Sequence, residues 1–374
     1  VHKIIKILEE YPLRNVMGLW AEASDLLLPE QSADAAEVGY KLLKSCAALP
    51  DLTAVERNVF FGAAFLRKDL GLRLDIICTL TNNGRNIDTC EPLIAPFILE
   101  SLDSCFNESH NALKAARKTS NGKKGVGEPL KERENMERLF QYTIDVCKFN
   151  SKVFMKDDFL EHLLIKAMGI CQSTTQHADV LNVVRLFNTI ITYVHIPKTV
   201  LKPCLEVLCS IHRQLLDLQD QTWSTLTNLF RSHFGQAAVS ALLHTLLDGA
   251  ERKSHQQSVY RGAIQVLQLL LLEDGRNGLP KVPMSVLIPA LKSSIREEHV
   301  TQESIVLGMI AAVLEEERMR NVLLTEANWG DLIDIVRTCA GRDDAREAAR
   351  TGGTGKINSD AATSAGGTPS LAAG

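Results

Sequence analysis

The sequence predicts an all-α fold, an α-solenoid of HEAT-type antiparallel helix pairs, and three observations lead there. Apolar residues recur at helical spacing almost everywhere, and no segment alternates with the period of two that a half-buried strand requires. Glycines and prolines punctuate the chain so that the connections between helical segments are short. Every second helix ends near 149, 193, 232, 273 and 316, in steps of about 39–44 residues that match the HEAT period.

Taken in order, helices are expected over 12–28, 32–48, 52–68 and 71–82. The last is stopped by Asn83-Gly84, where glycine accepts the left-handed backbone of a C-terminal cap. The segment TNNGRN at 81–86 is therefore a helix end rather than a phosphate loop. Such a loop would follow a strand and open a helix with glycines at fixed spacing. Arg85 is left as a solvated charge or a partner for a carboxylate.

A helix over 91–106 comes next, and then residues 107–130, NESHNALKAARKTSNGKKGVGEPL. This stretch is poor in large apolar groups and rich in Lys, Gly and Ser, so a flexible loop insertion is expected. Removing it also restores the repeat period between the helix ends at 82 and 149. Helices over 131–149, 156–173 and 176–193 follow, and His195-Ile196-Pro197 breaks the chain before 197–216, since proline lacks the amide a helix interior needs.

In 219–232, Trp223, Leu226 and Phe230 share one face and are expected to fill the interface between repeats. Phe234-Gly235 opens 235–247. In 256–273, Val259, Ala263, Val266, Leu267, Leu270 and Leu271 form a single stripe that must pack against neighbours. The turn Gly275-Arg276-Asn277-Gly278 ends it, and helices over 283–295, 300–316 and 328–341 complete the array. The solenoid is thus expected over 1–341, and 342–374 as a disordered tail too poor in apolar residues to pack.

Composition excludes several function classes. Of 374 residues, 45% are hydrophobic, and 41 Lys+Arg against 45 Asp+Glu give a net charge of −4, without the basic excess of a general nucleic-acid binder. Nine cysteines scattered through apolar stretches are unlike a disulfide framework and read as reduced, buried thiols. The longest nearly apolar run, Ile305 to Leu314, is about half a membrane span, so no direct membrane insertion is expected. Val1 opens the chain without methionine or signal-peptide pattern, which suggests a segment of something longer.

Apparent chemical motifs fail on context. TGGTGK at 351–356 lacks the Ser or Thr that follows the lysine of a phosphate loop, because that position is Ile357. Cys204, Cys209 and His212 lack a fourth ligand and are read as buried thiols near a surface imidazole. Glu315-Glu316-Glu317 point around a helix rather than converging. No catalytic residue, cofactor or metal is assigned.

Six segments carry a resemblance to a known family: LWAEASDLLLPEQ at 19–31, LTNNGRNI at 80–87, KFNSKVF at 148–154, TWSTLTNLFRSHFGQAAV at 222–239, YRGAIQVL at 260–267 and NWGDLIDIV at 328–336. In this order they resemble the N-terminal HEAT-repeat region of the tuberin family, GTPase-activating subunits of the tuberous sclerosis complex. The resemblance is that of a distant, non-animal member. It implies a scaffold that binds hamartin through a coiled-coil segment, and the remainder of a tuberin chain, in a complex that switches off the GTPase Rheb and restrains mTOR signalling. The location implied is cytoplasmic, with peripheral association to a lysosomal or vacuolar membrane through the parent complex. The family's GTPase-activating domain lies at the far C-terminus and matches nothing here, so no catalytic residue carries over. A generic HEAT or armadillo adaptor, or the N-terminal region of a Ral GTPase-activating subunit, is the alternative reading.

Solenoids commonly bind through the concave face lined by the second helix of each pair. Polar residues opposite the core stripes are the candidates there: Arg185, Asn188 and Thr192; Asn228 and Arg231; Arg261, Gln265 and Gln268. Each set makes a row, and stacked repeats are expected to align the rows into one strip suited to a long helix.

Overall fold

The structure is a computed structural model; it describes residues 15–81, 91–119, 131–155, 158–174, 176–248, 257–273, 276–295, 300–326 and 329–352, with isolated residues before Asn15. Among the described residues there is no strand. The α-helices are α1 (Val16–Ala23), α2 (Ala33–Ala47), α3 (Ala54–Ala63), α4 (Leu70–Thr81), α5 (Glu91–Thr119), α6 (Lys131–Phe149), α7 (Phe159–Ser173) and α8 (His177–Tyr193). They continue as α9 (Lys198–Gln214), α10 (Gln219–Arg231), α11 (Gly235–Asp248), α12 (Gln257–Leu272), α13 (Met284–Ser294), α14 (Val300–Glu315), α15 (Glu317–Glu326) and α16 (Trp329–Gly352).

Local chemistry sets many of these ends. Ser32 accepts from the Ala35 amide at 3.2 Å to cap α2. Thr53 and Glu56 form a reciprocal capping box on α3, with the Thr53 amide donating to Glu56 Oε2 at 2.7 Å. Side-chain oxygens thereby satisfy amides that the first turn leaves without partners. Asn277 and Gly278 take φ of 53° and 76° after α12, a left-handed turn that glycine adopts without strain. The Asn83-Gly84 stop and the TGGTGK stretch beyond Gly352 fall outside the described residues.

Alternate helices stack in two layers. One layer runs α5, α7, α9, α11 and α13, and the other α2, α4, α6, α8 and α10, each helix touching the next of its own layer. A continuous apolar core lies between them, from Val16 and Trp20 through Phe60, Phe140, Phe187 and Leu267 to Ile335. No single amphipathic helix can bury its stripe alone, so each depends on its neighbours for the burial that stabilises it.

The second layer does not continue by simple repetition. Helix α12 packs along α9, the first-layer helix of the preceding pair, rather than beside α10. Gly262 makes this possible: a Cβ there would fall deep inside van der Waals contact of the Cys209 carbonyl. Helix α14 then packs on α12, and α16 joins α13.

Several expectations need correction. The insertion expected over 107–130 is helical in its first half, because α5 runs on to Thr119. The NALKAAR run contains good helix formers, Phe106 and His110 stack at 5.9 Å, and Ser109 is buried; residues 120–130 lie outside the described part. Helix α3 stops at Ala63 rather than 68. The chain there turns to give Tyr40 a carbonyl acceptor at Ala64, and Arg67 donates to the carbonyls of Leu28 and Gln31 at 2.7 and 2.6 Å.

The boundary at 341 also moves. Helix α16 continues to Gly352, held by Arg342 and Arg346, which reach Glu303 of α14 at 2.8 and 2.9 Å; residues 353–374 lie outside the described part. Helix α15, absent from the expected set, supplies buried Met319 and Leu323 to the core. Trp223 is half-buried, packed against the core beside His212 with ring centroids 6.4 Å apart, while Leu226 and Phe230 are buried as expected.

Candidate partner-binding face

The outward side of the second layer carries a cross-helix ladder of polar side chains. It begins with Asp75 of α4, which receives Lys44 of α2 at 3.2 Å and also pairs with Arg138 of α6. One turn further along α6, Gln141 accepts from Arg185 of α8 at 3.3 Å. Asn188, one turn along α8, accepts from Asn228 of α10 at 2.8 Å. The ladder thus joins α2, α4, α6, α8 and α10 through side chains alone, on a face whose apolar partners point the other way. On α6 and α8 its two members lie one helical turn apart, so residues from neighbouring repeats meet only when the helices stack in register.

The sequence-derived candidates divide on this geometry. Arg185, Asn188 and Asn228 are members of the ladder, and Thr192 and Arg231 extend it, both exposed. Arg261, Gln265 and Gln268 do not join it. They sit on α12, which has left the second layer, and all three are half-buried. The Gln265 side-chain oxygen is buried without a hydrogen-bond partner among the described residues. The expected strip therefore ends at α10. Lys44, Asp75, Arg138 and Gln141 were absent from the sequence-derived set, because only helix register reveals them.

A concavity of 790 Å³ lies between α7 and α9, closed at one end by the starts of α8 and α12. Ile165 and Met168 give it an apolar wall, Glu206 and Gln214 a polar one, and Ser210 and Ser258 share a hydrogen bond of 3.1 Å within it.

Among the described residues the thiols offer no activated nucleophile. Burial pushes Cys204 up to about 12 and Cys78 up to about 11, and Cys209 is raised further for the same reason. A thiolate is the reactive form. His212 is buried rather than at the surface as expected, which holds its pKa below the usual histidine value, and neither ring nitrogen has a partner among the described residues. No group of three or more metal-ligating side chains occurs among the described residues, and no described helix is long and apolar enough to cross a membrane.

With this architecture in view, the comparisons are specific. A family model described as a domain of unknown function (DUF3384) matches residues 1–368. The chain belongs to this family. It is 22% identical over 341 residues to the tuberous sclerosis 2 protein homolog of Schizosaccharomyces pombe, a match covering 88% of this chain and 24% of that protein. The solved structure of the TSC2 N-terminus superposes with a TM-score of 0.80 at 28% identity, covering 91% of this chain and 83% of the other. The chain is accordingly a tuberin-like N-terminal domain. It spans about a quarter of the length of its curated relative, and the tuberin-like domain contains the solenoid and its ladder.

Proposed function

We infer that the tuberin-like domain is a non-catalytic scaffold whose ladder face holds a long helical partner, a hamartin coiled-coil segment, within a complex that activates GTP hydrolysis by Rheb and so restrains mTOR signalling. The observation carrying this reading is the continuous row of side chains from Lys44 to Asn228 across five stacked helices. Hydrogen-bonding groups spaced at helix-to-helix intervals suit a helix laid across the stack. The likeness to the TSC2 N-terminus supports the same role. Its place in the cell on this reading is the cytoplasm, with membrane association conferred by the whole complex.

Co-purification with the hamartin coiled coil tests the proposal. Combined Arg185→Glu and Arg231→Glu is expected to abolish it with little change in the melting curve, since exposed charges contribute little to folding and much to docking. Arg261→Glu, off the ladder, is the control and is expected to bind. Undiminished binding by the double variant would overturn the assignment of the face. Stimulation of Rheb GTP hydrolysis by this chain alone would overturn the non-catalytic reading.

The 790 Å³ groove favours a second reading, an adaptor that carries an extended peptide. Retained peptide capture by the ladder variant, lost on Ile165→Glu, is the result that would select it.

A further inference from the structure

Three consecutive turns return the chain from the second layer to the first, and the structure joins them along one edge of the solenoid. The turn between α6 and α7 and the turn between α8 and α9 share a recess of 300 Å³, with Met155 and Leu160 on one side and Val194 and Pro197 on the other. The α8–α9 turn meets the α10–α11 turn through His195, whose ring lies 4.4 Å from His233 and 6.0 Å from Phe234.

These turns present apolar side chains to solvent. Phe149 is 64% exposed and Met155 63% in the first turn, and Tyr193 is 49% exposed in the second. Met155 is held outward by its surroundings: it ends the 3-10 turn Ser151–Met155, whose Phe154 is buried edge-on against Phe159 with centroids 5.2 Å apart. The same turns carry Lys148, Lys152 and Lys198, all exposed. None of the three is in an ion pair among the described residues. Among the described residues of these turns the opposing charges are exposed Asp158 and half-buried Glu161. Cations therefore predominate.

Exposed rings and a thioether interleaved with unpaired cations form the composition that settles at a lipid–water boundary. Aromatic groups sit at headgroup depth and Lys and Arg meet the anionic headgroups. We propose that this edge of the tuberin-like domain docks peripherally on an anionic lipid surface.

Two features favour lipid over a protein helix as the occupant. The apolar groups stand on separate turn tips, whereas a docked helix needs a groove that takes anchors at i, i+3, i+4 and i+7. The recess between the turns, at 300 Å³, admits a side chain but is too small for a helix about 10 Å across. Docking is by side chains only.

Co-sedimentation of the 374-residue chain with phosphatidylcholine vesicles, and with vesicles containing roughly 30% phosphatidylserine, tests this. The chain is expected to sediment with the anionic vesicles alone and to be released by high salt. Combined Lys148→Glu, Lys152→Glu and Lys198→Glu is expected to lower the partition by about tenfold or more, and Phe149→Ser with Tyr193→Ser to lower it independently. Both variants alter exposed positions, so their melting curves are expected to match the parent. Arg185→Glu, on the ladder face, leaves vesicle binding unchanged. Absence of binding to anionic vesicles, or binding indifferent to both variants, overturns the proposal. So does selective capture of an acidic helical peptide by this edge without vesicle binding.

Discussion

Gly262→Ala tests whether the crossing of α12 on α9 holds the second half of the domain together. An added Cβ meets the Cys209 carbonyl oxygen and carbon, backbone atoms that cannot swing aside. The two helices must separate by about 1 Å or more to restore ordinary contact, which loosens the buried side chains packed between them, Leu205, Leu208 and Val266 among the most enclosed. Overpacking of a tight core costs about 1–3 kcal/mol. Replacing glycine inside a helix recovers up to about 1 kcal/mol, so the net loss is expected to be about 1–2 kcal/mol. Gly308, on the exposed side of α14 with nothing near its Cβ direction, is the control, and Gly308→Ala is expected to stabilise by about 0.5–1 kcal/mol. Urea unfolding followed by circular dichroism gives both values under one protocol. A Gly262→Ala midpoint equal to or above that of the parent would refute the claim that backbone proximity dictates glycine there.

Trp223→Ala is expected to cost about 1–2 kcal/mol, below the 3–5 of a fully enclosed aromatic, because the indole is half-buried; a loss above 4 in the same urea titration would contradict the observed exposure. His212, its pKa lowered chiefly by burial, binds fewer protons folded than unfolded. Its contribution is complete above about pH 6.5 and is lost as pH falls from there through its depressed folded value. His212→Leu should flatten the fall in melting temperature between about pH 7 and 5 relative to the parent, and an identical slope would show that this imidazole is not responsible. At Glu303, burial works to raise the carboxyl pKa, but hydrogen bonds from Arg346 and Arg342 outweigh it and leave the pKa lowered. The clamp is thus present above about pH 4.5 and lost on further acidification. Glu303→Gln is expected to speed hydrogen exchange at 341–352 without changing it in α9, and equal exchange would remove the clamp's role in holding α16.

Much of the array was legible because helical periodicity and turn residues act locally. The helices that close successive pairs end at Phe149, Tyr193, Arg231, Leu272 and Glu315, each within a residue of its expected position. Failures arose where composition was read without context. The 107–119 stretch lacks the apolar stripe that marked the other helices, yet its alanines and long side chains favour helix once α5 has begun. Residues 342–352 look like tail until Glu303, 39 residues earlier, is seen to hold Arg342. The site was legible in part for the same reason. Spacing along one helix identified Arg185 with Asn188, but their partners Gln141 and Asn228 lie 44 and 40 residues away. No local pattern announces that α12 will abandon the second layer; the clue was Gly262, small where the stripe alone called for any helix former.

That departure of α12 sets the length of partner the ladder can hold. Five second-layer helices, α2 to α10, leave four intervals, and packed helices stand about 8–10 Å apart, so the row spans about 32–40 Å. At 1.5 Å per residue a helix laid along it needs about 21–27 residues, or three to four heptads. Coiled-coil fragments of hamartin trimmed one heptad at a time should keep full affinity down to about that length and then lose it steeply with each further heptad. The steps should map onto ladder rungs: a fragment lacking one end is expected to become insensitive to Arg185→Glu or to Asp75→Ala, but not to both. Affinity that falls smoothly from much longer fragments, or that responds to Arg261→Glu, would mean that the partner runs past α10 and that the ladder is a stacking device of the solenoid rather than a docking face.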